Sequence, residues 1–108
     1  MQSEVITKRD DLLIRRLILM PGDAMPWHTD LCHRFSVVVR GDRLTIEFRD
    51  TGERVDVPVE PGMAGWDEPD SRVHRGVNTG RSVYEEVVTF HLASPGLDPQ
   101  PEHHASGG

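Results

Sequence analysis

The stretch RLTIEFRDTGERVDVPVE, residues 43–60, carries the pattern that decides the fold class. Apolar and polar residues alternate in 43–50, and the alternation resumes in 53–60 after a glycine-containing turn. A period of two places one side-chain face on a core and the other in solvent, as in a β-strand. The two runs therefore predict a β-hairpin. Pro58 lies on the polar face, which favours a sheet edge because proline has no N–H to donate.

Comparable short runs occur along the rest of the chain. They are LLIRRLILM at 12–20, FSVVV at 35–39 and SVYEEVVTFHL at 82–92, and Pro-Gly pairs at 21–22 and 61–62 break the chain between runs. No segment shows a helical apolar stripe over three turns. Short strands separated by turn signals every 8–12 residues or so are typical of a sandwich or barrel. The sequence predicts an all-β domain over residues 1–94, followed by an extended Pro/Gly-rich tail over 95–108.

The charge balance excludes two classes of partner. The chain of 108 residues has 18 acidic and 12 basic residues, for a formal net charge of −6. Nucleic acids and anionic membranes both require a basic face. We therefore expect neither as a partner, and we expect a small molecule instead.

The cysteine content and the N-terminal residues bear on the compartment. Cys32 is the only cysteine, so no internal disulfide forms, and this favours a reducing environment. Residues 1–11, MQSEVITKRDD, lack an apolar core of the kind that secretory signals contain. No apolar run approaches the ~18 residues that span a bilayer. We expect a cytoplasmic protein.

Two segments carry residues suited to chemistry. The first contains Gly22, His28, Asp30, Arg34 and Gly41. These positions match the spacing of the first motif of the cupin family, which is Gly, five residues, His-x-His, three or four residues, Glu, six residues, Gly. Here Asp30 stands in place of the second His and Arg34 in place of the Glu.

The second segment contains Pro69, Ser71, His74 and Asn78. These match the spacing of the second cupin motif, which is Gly, five residues, Pro-x-Gly, two residues, His, three residues, Asn. Met63 stands at the leading Gly, with Gly62 beside it, and Ser71 stands at the second Gly. Over roughly residues 12–92 the chain therefore resembles a small single-domain cupin. The resemblance implies a double-stranded β-helix, or jelly-roll, barrel that encloses one pocket. It also implies a homodimer.

Strand geometry favours a common site for the first-motif side chains. Residues two apart on a strand share a face, so His28 and Asp30 point the same way, and Arg34 continues that parity. His74 lies on a later strand that a barrel can bring alongside. Imidazole and carboxylate are ligands for divalent Fe, Mn, Ni, Cu and Zn. We therefore predict His28, Asp30 and His74 as metal ligands, with Asp30 and Arg34 as the catalytic pair.

Arg34 is the more serious departure from the metal-binding pattern, because a permanently protonated guanidinium does not ligate a metal. An inward Arg34 has three uses. It can pair with Asp30 and fill the site with an ion pair, bind a substrate carboxylate beside a three-ligand metal, or turn out to solvent. The sequence leaves these open.

Other residues near the motifs are expected to support the pocket. Cys32 shares parity with His28, so we predict that Cys32, Trp27 and Met25 line the pocket. His33 is a substitute ligand only if the strand has a bulge, because by parity it faces outward.

The run 82–92 adds three groups. Tyr84, Glu85 and Glu86 offer acid–base groups near the mouth, with at least one Glu in solvent. His91 is expected to be structural.

Three functions fit these residues. The first is an enzyme in which a divalent metal acts on a small, carboxylate-bearing organic molecule, by dioxygenase-like or isomerase/lyase-like chemistry. The second is a metal-free barrel that binds a small anion without catalysis. The third is a degenerate barrel used as an interaction domain.

Overall fold

The computed structural model describes residues 1–92, which form nine β-strands. The strands are β1 (Gln2–Arg9), β2 (Leu12–Leu19), β3 (His28–Asp30), β4 (His33–Arg40), β5 (Arg43–Phe48), β6 (Arg54–Pro58), β7 (Ala64–Asp67), β8 (Asp70–Asn78) and β9 (Tyr84–His91). The predicted tail, 95–108, lies outside the described residues. Within the described part of the chain, no helix is long and apolar enough to cross a membrane.

The strands form two antiparallel sheets. One has five strands in the order β1-β2-β9-β4-β7, and the other has four in the order β3-β8-β5-β6. Sequence neighbours such as β3 and β4 belong to different sheets, so the chain crosses repeatedly from one sheet to the other. The buried side chains come mainly from β2, β4, β5, β8 and β9. Those of the two sheets enclose a common interior. The predicted all-β barrel is confirmed.

The hairpin predicted from residues 43–60 is present as β5 and β6. Leu44 pairs with Val57 and Ile46 with Val55 across the two strands. β6 is the outermost strand of its sheet. Pro58 therefore lies on an edge strand, where its missing N–H removes no bond to a further strand.

Strand β1 was not predicted from the sequence. Seven of its eight residues are exposed, so it shows no buried alternation. It pairs with β2 along almost its whole length, with an irregularity between Val5 and Thr7. This strand forms because its backbone pairs with β2 at the edge of the sheet. Apolar alternation in the sequence therefore does not predict it.

Asn78 joins the end of β2 to the turn between β8 and β9. Its side-chain nitrogen donates to the carbonyl oxygens of Leu19 and Ser82, both at 2.9 Å, and its side-chain oxygen accepts from the N–H of Gly80 at 3.0 Å. The side chain is fully buried. Asn78 therefore holds the backbone of these segments together.

We expect Asn78→Ala to lower the free energy of unfolding by about 2–4 kcal/mol, because it leaves buried backbone groups without partners. Urea unfolding of the variant, with exposed Gln2→Ala as the control, measures this. A loss below ~1 kcal/mol for Asn78→Ala would mean that water replaces the three bonds.

Candidate metal and ligand site

A cavity of about 330 Å³ lies between the two sheets. Most of its lining is apolar. The ionisable residues that line it are His28, Asp30, Arg34, Asp67, His74, Tyr84 and Glu86. An apolar cavity with a few convergent polar groups is the usual form of a small-molecule site.

His28, Asp30 and His74 form a buried cluster at this cavity. β3 and β8 are paired so that His28 lies opposite His74, and their ring centroids are 4.6 Å apart. Oδ2 of Asp30 lies 2.8 Å from Nε2 of His74 and 3.4 Å from Nε2 of His28. The convergence predicted for these three side chains is present.

Backbone carbonyls set the tautomer of both imidazoles. Nδ1 of His28 lies 2.7 Å from the carbonyl oxygen of Pro26, and Nδ1 of His74 lies 2.8 Å from that of Arg72. A carbonyl oxygen only accepts, so each Nδ1 carries the proton and donates. In a neutral ring Nε2 then presents a lone pair, and both lone pairs face the Asp30 carboxylate. The lone pairs and the carboxylate repel each other, so a cation, either an added proton or a metal ion, must lie between them.

The electrostatics keep Asp30 ionised. Burial alone would raise the pKa of Asp30, but the adjacent imidazoles of His28 and His74 and the charge of Arg34 outweigh it. They hold the pKa of that carboxyl well below its usual range. Burial alone would lower the pKa of His74, but the bonds to Asp30 and to the Arg72 carbonyl raise it overall. In the metal-free site this shift favours a proton on His74 as the cation.

The same three residues fit a divalent metal ion. Their ligand atoms all lie within 4.8 Å of one another. Ligands about 2.1 Å from a metal and at right angles to each other are about 3 Å apart, close to the 2.8 and 3.4 Å distances observed. Metal-ligating histidines usually donate the other ring N–H to a carbonyl or carboxylate, as His28 and His74 do here.

Arg34 reaches the cluster from the opposite sheet. Arg34 does not continue the strand of His28 and Asp30, as the sequence predicted, because β3 ends at Asp30 and Arg34 belongs to β4. Arg34 faces inward because β4 has its own register. Its Nη2 lies 3.5 Å from Oδ2 of Asp30 and 4.0 Å from Oδ2 of Asp67. Its Nη1 is buried and has no hydrogen-bond partner among residues 1–92, so this cavity-lining guanidinium has N–H donors that the protein does not use.

The three predicted lining residues have different positions. Met25 is buried and lines the cavity. Trp27 is not among the lining residues, and its ring packs against the guanidinium of Arg75 at 4.3 Å. Cys32 is buried but is also not a lining residue, because it lies in the segment that carries the chain from one sheet to the other.

The remaining histidines of the described residues are outside the cavity. Nδ1 of His33 lies 2.7 Å from a carboxyl oxygen of Glu68. The half-exposed ring of Trp66 lies 5.6 Å from His33 and 5.0 Å from His91. The outward orientation of His33 and the structural position of His91 are confirmed.

Glu86 is buried and lines the cavity, whereas the sequence predicted only an acid–base group near the mouth. Tyr84, Glu86, Val88 and Phe90 share the inner face of β9, whose burial alternates without a break. Glu85 lies on the outer face and pairs with Arg16 and Arg40. The alternation in 84–91 is the signal that could have placed Glu86 inside the barrel.

Comparisons with known proteins support the fold alone. By sequence, the chain matches no protein-family model and no curated protein. By structure, it is similar to a cupin domain from Bordetella pertussis Tohama I, with a TM-score of 0.75 and 16% identity, over 85% of this chain and 93% of that one. An RmlC-like cupin from Methanocaldococcus jannaschii matches with a TM-score of 0.65 and 18% identity, over 83% and 78% of the two chains.

A third structural match is a chain from the crystal structures of the DMSP lyases RdDddP and RnDddQII. Its TM-score is 0.55 at 24% identity, and the match covers 82% of this chain but 43% of that one. These likenesses agree with the fold observed here. The chain has the cupin fold, a double-stranded β-helix of two antiparallel sheets.

Proposed function

We propose that this protein is a small metal-binding cupin that acts on a carboxylate-bearing organic molecule. The observation that carries the proposal is the orientation of His28 and His74. Backbone carbonyls hold the Nδ1 proton of each ring, so both Nε2 atoms are directed at the Asp30 carboxylate. This arrangement is the one that metal-binding histidines adopt.

His28, Asp30 and His74 would hold the ion. Two imidazoles and one carboxylate suit Fe, Mn, Ni, Cu and Zn. A bound ion of this series supplies Lewis-acid polarisation or, for a redox-active metal, dioxygen chemistry. We propose a dioxygenase-like or isomerase/lyase-like reaction; lyases with a cupin-like structure exist, as the DMSP lyase likeness illustrates.

Arg34 would position the substrate. Its Nη1 is buried at the cavity without a protein partner in the described chain, and its charge matches a carboxylate or an enolate. A guanidinium binds such groups through parallel N–H donors. The apolar lining excludes water, which strengthens this charge-assisted bond.

A metal-free anion-binding barrel is the second candidate. The observation that favours it is the 3.5 Å approach of Arg34 to Asp30 together with the short Asp30–His74 bond. With His74 protonated, Asp30 is paired with two cationic groups, His74 and Arg34, without a metal. His74 and Arg34 would then hold an anion without transforming it.

Metal content separates the two candidates. We expect protein purified without an affinity tag to contain close to one Fe, Mn, Ni, Cu or Zn ion per chain by elemental analysis. We expect a His28→Ala/His74→Ala double variant to contain essentially none, because two of three ligands are gone.

The matched control is a His33→Ala/His91→Ala double variant, which removes two histidines outside the cavity and leaves His103 and His104 in place. It should keep the metal. Wild-type protein that stays metal-free after reconstitution with each ion would exclude the metalloenzyme and favour the anion-binding barrel.

Assembly and location are proposals of the same kind. We propose a cytoplasmic homodimer, with a small molecule and neither nucleic acid nor membrane as the partner. The supporting features are the cupin resemblance and the net charge of −6. Light scattering of the purified protein measures the oligomeric state directly.

A further inference from the structure

A second polar group lies in the cavity, apart from the His28–Asp30–His74 cluster. Glu86 and Tyr84 are both buried, with 8% and 4% of their surface exposed, and both line the cavity. The Tyr84 hydroxyl donates to Oε1 of Glu86 at 2.8 Å. The bond uses only one of the two carboxyl oxygens.

The surroundings of this pair are apolar. Glu86 is opposite Leu17 on β2 and Val38 on β4, and Tyr84 belongs to the apolar cluster that contains Leu17 and Leu19. Among the described residues no salt bridge to Glu86 is formed, whereas its neighbour Glu85 pairs with two arginines. A buried carboxyl costs free energy unless a partner compensates it. A glutamate at this position is therefore a poor choice for stabilising the core.

Arg34 and Glu86 are at different levels of the barrel. Arg34 is opposite Phe90, and Glu86 precedes Phe90 by four residues, or about 13 Å along the strand. This 13 Å separates the two backbones, whereas the charge of the Arg34 side chain acts on Glu86 within the cavity that both line. A ligand that contacts both sites is therefore a small molecule.

We infer that Tyr84 and Glu86 form a second, uncharged binding site, which takes a hydroxyl, carbonyl or amide group of the same molecule whose carboxylate Arg34 binds. The preferred ligand is then a monocarboxylate with a neutral polar group at a distance and an apolar chain between them. This inference rests on the proposed function, and it names the class of substrate.

The charge state of the pair supports the inference. Burial raises the pKa of Glu86 to about 7, which the bond from Tyr84 and the charge of Arg34 only partly oppose, while Asp30 and Asp67 add to the rise. Burial and the nearby Glu86 raise the pKa of Tyr84 as well. At slightly acid pH both groups are neutral, so the pair donates and accepts hydrogen bonds and disfavours a second carboxylate.

Binding of simple acids tests the inference. The probes are straight-chain ω-hydroxy acids, unsubstituted carboxylates and dicarboxylates of four, five and six carbons. Dissociation constants would be measured by NMR titration of the full chain, as purified, at pH 6. In at least one chain length the hydroxy acid should bind about tenfold more tightly than the other two, because a site built to bond a hydroxyl rejects analogues that lack it.

Variants test whether Glu86 causes the preference for hydroxy acids. Glu86→Leu should reduce it to less than twofold while leaving the affinity for the unsubstituted carboxylate nearly unchanged, and Glu86→Gln, which keeps a neutral polar group, should retain most of it. Arg34→Met should weaken all three classes. A wild-type protein without the preference, or a Glu86→Leu variant that keeps it, would overturn the inference and leave the proposed function standing.

Two other results would contradict the proposed function as well. Carboxylate binding that Arg34→Met does not weaken, or no binding of any probe, would overturn the carboxylate site and this inference with it. A measurement without ligand adds an independent test, the ¹³C NMR titration of the Glu86 side-chain carboxyl, assigned through Glu86→Gln. A midpoint near 7 is expected, and one near 4 would show an ionised Glu86 and contradict the uncharged site.

Discussion

Replacing Asp30 by asparagine is expected to abolish stoichiometric metal binding and to lower the free energy of unfolding of the metal-free protein by about 2–4 kcal/mol. The carboxylate of Asp30 is the shared partner of His28, His74 and Arg34. Its removal deletes the anionic ligand and leaves a buried guanidinium without its closest counter-charge. The cost is below that of a fully buried pair because Arg34 keeps some solvent contact and has Asp67 at 4.0 Å.

Asp67→Asn is the matched control, since it makes the same chemical change on the other carboxylate near Arg34. Asp67 is half exposed, so we expect a loss below about 1 kcal/mol and no change in metal content. Elemental analysis and urea unfolding of both variants measure the two effects. An Asp30→Asn protein that retains its metal would show that Asp30 serves Arg34 rather than the ion.

The second large effect concerns pH. The pKa of Glu86 is about 7 in the folded protein against 4.5 for an ordinary glutamate. The unfolded chain therefore loses this proton at lower pH than the folded chain, and stability falls as pH rises from about 4.5 to 7. At about 1.4 kcal/mol per pKa unit, Glu86 alone lowers the free energy of unfolding by about 2–3 kcal/mol between pH 5 and 8.

Glu86→Gln removes the titrating group and keeps its size. We expect its stability, relative to wild type, to increase by about 2–3 kcal/mol between pH 5 and 8. Glu85→Gln is the control: it lies one residue away on the outer face, paired with Arg16 and Arg40, and should change stability by the same amount at both pH values. Parallel profiles of wild type and Glu86→Gln would show that Glu86 is ionised in the folded protein.

The site shows where residue spacing was sufficient and where it was not. His28 and Asp30 are two apart on one strand, so their common direction follows from the pleat alone. His74 joined them through the resemblance to the cupin motifs, and the pairing of β3 with β8 confirms its place. The same count of residues placed Cys32 in the cavity, where it does not lie, and it gave the inward direction of Arg34 only by coincidence. The chain changes sheets between Asp30 and His33, so the count no longer defines a face.

The sequence by itself determined the class of fold and the identity of the metal-site candidates. Alternation with a period of two is a local property, and it located the 43–60 hairpin. It did not decide burial there, since Thr45 of the polar face is fully buried and Val55 of the apolar face is exposed. The tertiary structure decided what depends on two sheets meeting. It formed β1 by pairing with an edge, turned Arg34 towards Asp30 from the opposite sheet, and enclosed Glu86 with Tyr84. Each of these depends on strand order and register, which arise only when distant segments pair.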